Sequence, residues 1–428
     1  MVNRRWVRLG GLWRHADFRR FWAAETISQF GSHITLLVLP LMAVISLDAS
    51  PFEMGLLTAM GTLPFLLVGL FVGVWVDRMR RRPIMVITDV GRAAVLLVIP
   101  VVAWFDRLNM GVLYTVAFLV GVQTVFFDVA YASYVPSLVR RERLVDANSK
   151  LQASASVAQV AGPGLGGVLV GLITAPVAIL LDACSFLLSA LFLRRIETDE
   201  AEPERAAERQ PMLRQIREGL AVVGSDRVLR ALVGTSAVNT FAGYIFLSVY
   251  ILFMSRELNL GATAIGVVLA TGGVGAFIGA MLAGPAARRF GQGPALILGQ
   301  FLFGATGLTV PLAIFIPSVA LPLVIAAEFL QWLTLLIYSV NAVSLRQAIT
   351  PDRLLGRVNA TARFVATGAQ PIGSLAGGAL GGLIGVPMTL VVGEIGMFVA
   401  VAWLLWSPVR AIRQAVVVEE PAAVTAAA

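Results

Sequence analysis

Four ionisable side chains stand inside long apolar stretches of this sequence: Glu25, His33, Asp128 and Glu328. An ionisable residue in the middle of a bilayer costs about 2.5 to 3.5 kcal/mol on insertion-based scales, so each one requires a partner or a function. A carboxyl group or an imidazole in such a place can take up and release a proton. We therefore predict that these residues exchange protons, with structural hydrogen bonding as the alternative for each.

Other kinds of chemistry lack the residues that they require. Cys184 is the only cysteine, and His15 and His33 are the only histidines, so an intrachain disulfide, a cysteine metal cluster and a histidine-rich site are excluded. The sequence has no Gly-x-x-x-x-Gly-Lys-Ser/Thr loop for ATP phosphates, no nucleophile elbow and no metal-ligand spacing. We predict a protein that is not an enzyme, that needs no cofactor or metal, and that draws its energy from a gradient.

The composition predicts the elements that hold these residues. Hydrophobic residues make up 58% of the 428 residues and charged residues 14%, with a mean hydropathy of +0.83, whereas a soluble domain carries about 25% charge. Twelve apolar segments reach the length of about 20 residues that a membrane-spanning helix needs. They lie at residues 21–46, 53–76, 84–105, 110–134, 150–173, 175–194, 229–254, 262–286, 294–316, 319–345, 360–385 and 388–407.

The second half of the chain repeats the first. The stretch that begins at Gly73 recurs at Gly284, an offset of 211 residues, and Gly162-Pro163 recurs around Pro371. An offset of about half the chain indicates two copies of one helix pattern. We predict an all-α integral membrane protein of two pseudo-symmetric six-helix bundles. The predicted regions are a tail at 1–20, bundles at 21–194 and 229–407, a charged linker at 195–228 with an amphipathic helix near 211–224, and a tail at 408–428.

Basic residues are distributed asymmetrically among the loops. Nearly all of the 33 arginines and lysines fall in the two tails, in the linker, or in the loops that follow every second segment. Because short loops rich in arginine and lysine stay on the cytoplasmic side, we predict a plasma-membrane protein with both termini in the cytoplasm. The same asymmetry accounts for the net charge of +8, so we expect membrane lipid and no nucleic acid as a partner.

Residues 73–82 fit the pattern Gly-x-x-x-Asp-Arg-x-x-Arg-Arg between the second and third segments. Together with the six-plus-six layout, this pattern resembles the signature loop of the major facilitator superfamily. The resemblance implies a conformational latch in which Asp77 docks against the start of helix eleven and its arginines, closing the cytoplasmic side. The latch residues are Gly73, Asp77, Arg78 and Arg81. The alternative is that the arginines only anchor the loop to anionic lipid.

The fifth segment contains Gly162-Pro163 followed by Gly166-Gly167, which resembles a signature found mainly in exporters of that superfamily. Proline removes a backbone hydrogen bond and glycines allow close packing, so this helix can bend and seal against a neighbour. The resemblance implies export, with simple tight packing as the alternative, because Ser149 and Ala158 replace glycines of the fuller motif. Residues 134–148 look like the loop after helix four in the branch of the superfamily that includes macrolide-efflux and enterobactin-export proteins. The resemblance to this branch spans residues 18–406.

In this superfamily helices one, four, seven and ten line a central cavity, so the resemblance also implies where a substrate binds. The polar and aromatic residues expected to line the cavity are Gln29, Phe127, Tyr131, Asn239, Tyr244, Trp332 and Asn341. Such a lining suits an amphipathic organic solute. Helices six and twelve, which carry Asp182 and Glu394, are expected at the periphery with structural roles, and Asp89 with Arg92 is expected to be scaffold near the inner surface.

These features together predict a secondary active transporter that works as a monomer. We expect it to export a small amphipathic molecule, such as a drug, an antibiotic or a siderophore-like metabolite, by proton antiport with alternating access. The alternatives are an importer, a lipid or lysophospholipid flippase of the same fold, a polytopic membrane enzyme, and a sensor that binds without transport.

The latch hypothesis predicts that the charge of Asp77 is needed for fast transport. Asp77→Asn removes the charge without changing the size of the side chain, so the protein is expected to insert normally but to transport more slowly. Transport rates in cells, normalised to the amount of inserted protein, measure the effect. Full activity of Asp77→Asn would contradict the latch.

Overall fold

The computed structural model describes residues 12–76, 78–198, 200 and 212–413. These residues form helices, turns and loops, with no strand among them. In chain order the α-helices are α1 Ala16–Ser46, α2 Pro51–Leu67, α3 Gly69–Val76, α4 Arg81–Trp104, α5 Met110–Leu138, α6 Leu144–Leu172, α7 Ala175–Arg194, α8 Met212–Ser225, α9 Arg227–Leu252, α10 Ala262–Phe290, α11 Gln292–Gly307, α12 Ala320–Ile349, α13 Asp352–Ile384 and α14 Val386–Leu405.

All twelve predicted membrane segments fall on helices, which confirms the fold class. Ten helical stretches in the described part of the chain are long and apolar enough to cross a membrane individually. The second predicted segment is divided between α2 and α3, with a break at Val68. The eleventh lies in α13, which is rich in glycine, and glycine contributes little hydropathy.

Short polar side chains mark where several helices begin. Ser50 accepts a hydrogen bond from the backbone N–H of Glu53, whose carboxylate accepts one from the Ser50 N–H, and Pro51 opens the first turn of α2. The side chains of Asn109 and Asp226 also accept hydrogen bonds from backbone N–H groups, at the start of α5 and of α9 respectively. Each cap satisfies backbone N–H groups that have no partner within the helix.

The chain forms two compact units. Unit 1 comprises residues 1–208 together with 254–270, and unit 2 comprises residues 209–253 together with 271–428. Helix α10 is therefore shared, because its first nine residues count with unit 1 and the rest with unit 2.

The two units use the same helix pairings. In unit 1, α1 packs against α6 and α7, and α4 packs against α5 and α7. In unit 2, α9 packs against α13 and α14, and α11 packs against α12 and α14. The sequence repeat is thus also a repeat of packing, as the pseudo-symmetric bundles predict.

Glycine allows the closest of these contacts. In unit 1, Gly162 and Gly166 of α6 lie against His33 and Ile34 of α1. A Cβ added at Gly162 would overlap with the Cβ of His33, which is held close to the α1 backbone. Gly373 and Gly377 of α13 occupy the same relation to α9 in unit 2. Small residues at both interfaces let the helix backbones approach each other closely.

Helix α8 follows the linker and lies where residues 211–224 are predicted to form an amphipathic helix. Val223 packs into a cluster with Val233 of α9 and Val358 of α13. Glu218 forms an ion pair with Arg357 of α13, with 3.0 Å between Oε2 and Nη1. The end of the linker is therefore attached to unit 2 by both apolar and charged contacts.

The packing of α6 on α1 predicts different outcomes for two neighbouring glycines. Gly162→Ala is expected to lower stability by about 1–3 kcal/mol, because the added methyl group forces α1 and α6 apart. Gly164→Ala is the matched control, since its Cβ would lie at an ordinary 3.5 Å from the Cβ of Ala270. Thermal unfolding of both variants in detergent measures the difference, and equal melting temperatures would contradict this account of the contact.

Candidate functional site

The signature loop between α3 and α4 is attached to the start of the linker. Glu200 accepts hydrogen bonds from the backbone N–H groups of Arg81 at 2.8 Å and Arg82 at 3.2 Å, and its Oε1 lies 3.3 Å from Nη1 of Arg81. Arg80, at the N-cap position of α4, makes no side-chain capping bond. The Glu200 carboxylate therefore caps α4 from 119 residues away, at the helix end where the helix dipole favours an anion.

Arg82 extends this attachment to α7. Its guanidinium donates to the backbone carbonyls of Leu193, at 3.0 Å, and of Arg194, which belong to the last turn of α7. Of the predicted latch residues, Gly73 lies in α3, Arg78 is exposed at the turn, and Arg81 holds Glu200. Asp77 lies outside the described residues, so its docking remains a prediction.

In unit 1, Glu25 of α1 and Asp128 of α5 are close enough to interact electrostatically. Glu25 is buried, and its Oε1 accepts a hydrogen bond of 2.7 Å from Nε2 of Gln29. Its Oε2 is buried without a hydrogen-bond partner. Tyr131 lies within electrostatic range of both carboxyl groups, and its ring stacks on Phe21, 5.6 Å between centroids. The structure thus brings together four of the sequence-predicted residues.

Arg92 of α4 is the cation of this region. It forms an ion pair with Asp89, one turn earlier, and both side chains are almost wholly buried. The guanidinium carbon lies 4.3 Å from the ring centroid of Phe127 and 4.1 Å from that of Phe186, so Arg92 makes a cation–π contact with each ring. Arg92 also lies within electrostatic range of Glu25 and of Asp182 in α7.

We call Glu25, Asp89, Arg92 and Asp182 the unit 1 charge cluster. It contains three carboxyl groups for a single guanidinium, and all four residues are buried. Cation–π contacts with desolvated rings stabilise the guanidinium by about 2 kcal/mol or more. Since one cation cannot neutralise three carboxylates at low dielectric, the arrangement favours protonated carboxyl groups.

In unit 2, Glu328 of α12 is held by two neutral donors. The hydroxyl of Tyr250, in α9, donates to Oε2 at 2.9 Å, and the indole N–H of Trp332 donates to Oε1 at 2.9 Å. Glu328 is buried and forms no ion pair within the described residues. Its charge can therefore be compensated only by hydrogen bonds or by a proton.

The remaining candidates do not join these groups. Asn341 is buried and donates to the carbonyls of Ala283 and Ile337. Asn239 accepts from Gln300 at 3.4 Å, and Tyr244 lies beside Gly373 where α9 meets α13. His33 lies against Gly162, which places it at the α1–α6 contact rather than in the unit 1 charge cluster.

Several functional candidates were missed or underrated by sequence reasoning. Asp89 and Arg92 form the pair that their spacing predicts, but they lie among buried aromatic rings. Tyr250 carries no signal, because 78 residues separate it from Glu328. Gln331 did carry a sequence signal, since it lies three residues after Glu328 on the same face of α12.

The comparisons with known proteins agree with this architecture. A family model described as a transmembrane secretion effector matches residues 11–423. Together with the helical fold, the match defines a multi-pass membrane transporter and not an enzyme. The chain belongs to the major facilitator superfamily.

Similar proteins include named efflux pumps. The multidrug efflux pump Tap of Mycolicibacterium fortuitum is 27% identical over 84% of this chain and 88% of its own length. Macrolide efflux protein A of Streptococcus pyogenes is 23% identical over 86% of this chain and 90% of its own length. Among solved structures, an inward-facing bacterial homologue of the iron transporter ferroportin has a TM-score of 0.75 at 17% identity, covering 92% of this chain and 98% of that one.

The buried ion pair makes a prediction about stability. Arg92→Met leaves Asp89 buried without its partner, and breaking such a pair costs about 3–5 kcal/mol. The double variant Asp89→Asn with Arg92→Met removes both charges and is expected to recover most of that loss. Membrane expression and thermal unfolding in detergent measure both effects. A double variant no more stable than Arg92→Met would contradict the compensating role of Arg92 toward Asp89.

Proposed function

We propose that this protein exports a small amphipathic molecule in exchange for protons, by alternating access across the plasma membrane. The observation that carries the proposal is the burial of carboxyl groups inside membrane helices of both units, Glu25 in unit 1 and Glu328 in unit 2. A buried carboxyl group can be neutral or ionised depending on its surroundings, which is the property that proton coupling requires.

The direction of transport is supported by two observations. Relatives that match along most of the chain are named as efflux pumps for multiple drugs and for macrolides. In addition, the fifth predicted segment contains the exporter-type Gly-Pro and Gly-Gly pairs, and its glycines lie at close helix contacts in α6. Gly167, for example, would place a Cβ only 2.9 Å from the Cα of Gly266 in unit 1.

Glu328 is the residue at which we propose that proton and substrate exchange. Two hydrogen bonds, from Tyr250 and Trp332, stabilise its ionised form, while burial favours its protonated form. A small change in access to water or in the position of either donor would therefore change its protonation. The half-buried indole of Trp332 offers an apolar face to an amphipathic substrate next to the carboxyl group.

Glu25 is proposed as the proton site of unit 1. Its Oε2 lacks a hydrogen-bond partner and can hold a proton, while Oε1 keeps its bond to Gln29. Arg92 attracts the ionised form, so loss of the proton is compensated within the unit 1 charge cluster.

We further propose a monomer with both termini in the cytoplasm, in which Asp77 closes the cytoplasmic side as a latch.

Drug accumulation in cells tests this proposal. Cells expressing the protein are expected to accumulate less of at least one probe from a panel of a macrolide, a tetracycline, a fluorescent lipophilic cation and a catecholate siderophore. A protonophore should abolish the difference, and Glu25→Gln with Glu328→Gln should reduce it at least tenfold at equal expression, because neither side chain can then exchange a proton.

Glu257→Gln, which changes an exposed carboxyl group at the end of the π-helical turn Phe253–Glu257, serves as the control and should transport normally. Higher accumulation in expressing cells would identify an importer instead. Transport that persists with the protonophore would contradict proton coupling, and an effect on labelled lysophospholipid alone would favour a lipid flippase.

A further inference from the structure

Glu394 of α14 is a second buried carboxyl group in unit 2 that the proposed function does not use. Its Oε1 accepts a hydrogen bond of 2.8 Å from Nε2 of Gln331 in α12. Its Oε2 is buried and has no hydrogen-bond partner, and the residue is 1% exposed. The sequence assigned Glu394 a structural role at the periphery, but a structural carboxylate would be expected to have both oxygens satisfied.

The surrounding helices make room for this carboxyl group. Gly307, the last residue of α11, lies so close that a Cβ there would overlap with the Glu394 carboxyl group and the Gln331 amide. Gln331 and Glu328 are three residues apart in α12. Glu328 and Gln331 therefore lie on the same face of α12, and Gln331 donates to Glu394. The two carboxyl groups lie within electrostatic range of each other.

Among the described residues, no positive charge compensates this pair of carboxyl groups. The titratable groups that face Glu394 are Glu328 of α12 and Tyr250 of α9. Helix α11 has no ionisable residue, and the ionisable residues of α13 are confined to its first third, residues 352–363. Across the part of the chain that the structure describes, neither Glu328 nor Glu394 forms an ion pair.

Two carboxylates cannot both stay ionised at this place. Removing one uncompensated charge from water is unfavourable, and a second negative charge nearby adds repulsion. Glu328 has two hydrogen-bond donors for its ionised form, whereas Glu394 has one. The arrangement therefore favours a proton on Glu394 before one on Glu328.

We propose that Glu394 is a second proton-binding site of unit 2, with the proton on Oε2, and that its occupancy is coupled to that of Glu328. Binding converts the carboxylate and one proton from water into a neutral carboxyl group, and release reverses it. Only the use of this proton in transport rests on the function proposed above. Unit 2 then carries up to two protons, and their exchange with water requires an opening at α12 and α14.

Infrared difference spectroscopy tests the site without any substrate. The full-length protein in lipid is titrated between alkaline and acid pH, in choline chloride, and the carbonyl band of neutral carboxyl groups is followed. Glu394→Gln keeps an acceptor for Gln331 and is expected to lose one component of this band. Glu328→Gln should lose a different component and move the titration midpoint of the Glu394 component to lower pH, because the neighbouring negative charge that disfavours ionisation of Glu394 is gone.

A neighbouring carboxylate disfavours a second negative charge, so it raises the midpoint of Glu394, and its removal by Glu328→Gln lowers the midpoint. Because Glu394 takes up its proton before Glu328, Glu328 is still ionised at this midpoint in the wild type, and the expected result of Glu328→Gln is a lower midpoint. A midpoint that does not move, or that moves to higher pH, would contradict the coupling.

Controls separate this inference from its alternatives. Glu257→Gln, at an exposed carboxyl group, should leave the buried carbonyl band unchanged. A spectrum of Glu394→Gln identical to that of the wild type would overturn the proposal. A Glu394-dependent spectral change when sodium chloride replaces choline chloride at alkaline pH would also overturn it, because such a change identifies a metal-cation site. Failure of all drug transport would instead contradict the proposed function and leave this result standing.

Labelling of the wild-type protein covers the case in which Glu394→Gln does not fold. Dicyclohexylcarbodiimide reacts with protonated carboxyl groups in apolar surroundings, and mass spectrometry locates the adduct. Modification of Glu394 that is at least several-fold faster at acid than at alkaline pH is expected. Absence of the adduct at Glu394, or a rate that does not depend on pH, counts against the proton site.

Discussion

The exclusion of water from the membrane interior governs how this chain uses its ionisable residues. A charge in such a place must be compensated by a countercharge, by hydrogen bonds or by a proton. Unit 1 supplies a countercharge, because Arg92 pairs with Asp89 and is covered by Phe127 and Phe186. In the described part of unit 2, Glu328 receives hydrogen bonds from neutral donors alone. The two repeats share helix pairings but compensate charge in different ways.

This difference has a consequence for the proposed cycle. In unit 1 the guanidinium is permanent, so loss of a proton from Glu25 leaves a local pair of opposite charges. In unit 2 each lost proton leaves an uncompensated negative charge, which must be stabilised by water or by a positively charged group of the substrate. The proposed proton exchange in unit 2 is accordingly the step more tightly tied to opening of the protein or to substrate binding.

The sequence was sufficient for the helices but not for the partners of the buried groups. Segment length and apolar composition locate all twelve helical segments, because a membrane helix satisfies its own backbone and needs only length and apolarity. The close contact at Gly162 follows from small residues beside a proline. The bond from Tyr250 to Glu328 joins residues of different helices, and no local pattern specifies which side chains of two packed helices meet. The same holds for Gln331 and Glu394.

The cap on α4 bears on the order in which the chain is made. Helix α4 begins at Arg81, but the carboxylate that accepts from its first backbone N–H groups belongs to Glu200. Synthesis must therefore proceed through α5, α6 and α7 before these hydrogen bonds can form. The bonds from Arg82 to the end of α7 have the same requirement. During biogenesis, therefore, the membrane-surface end of α4 has to rely on water or lipid headgroups, and it is completed only when the chain has passed beyond its first six membrane segments.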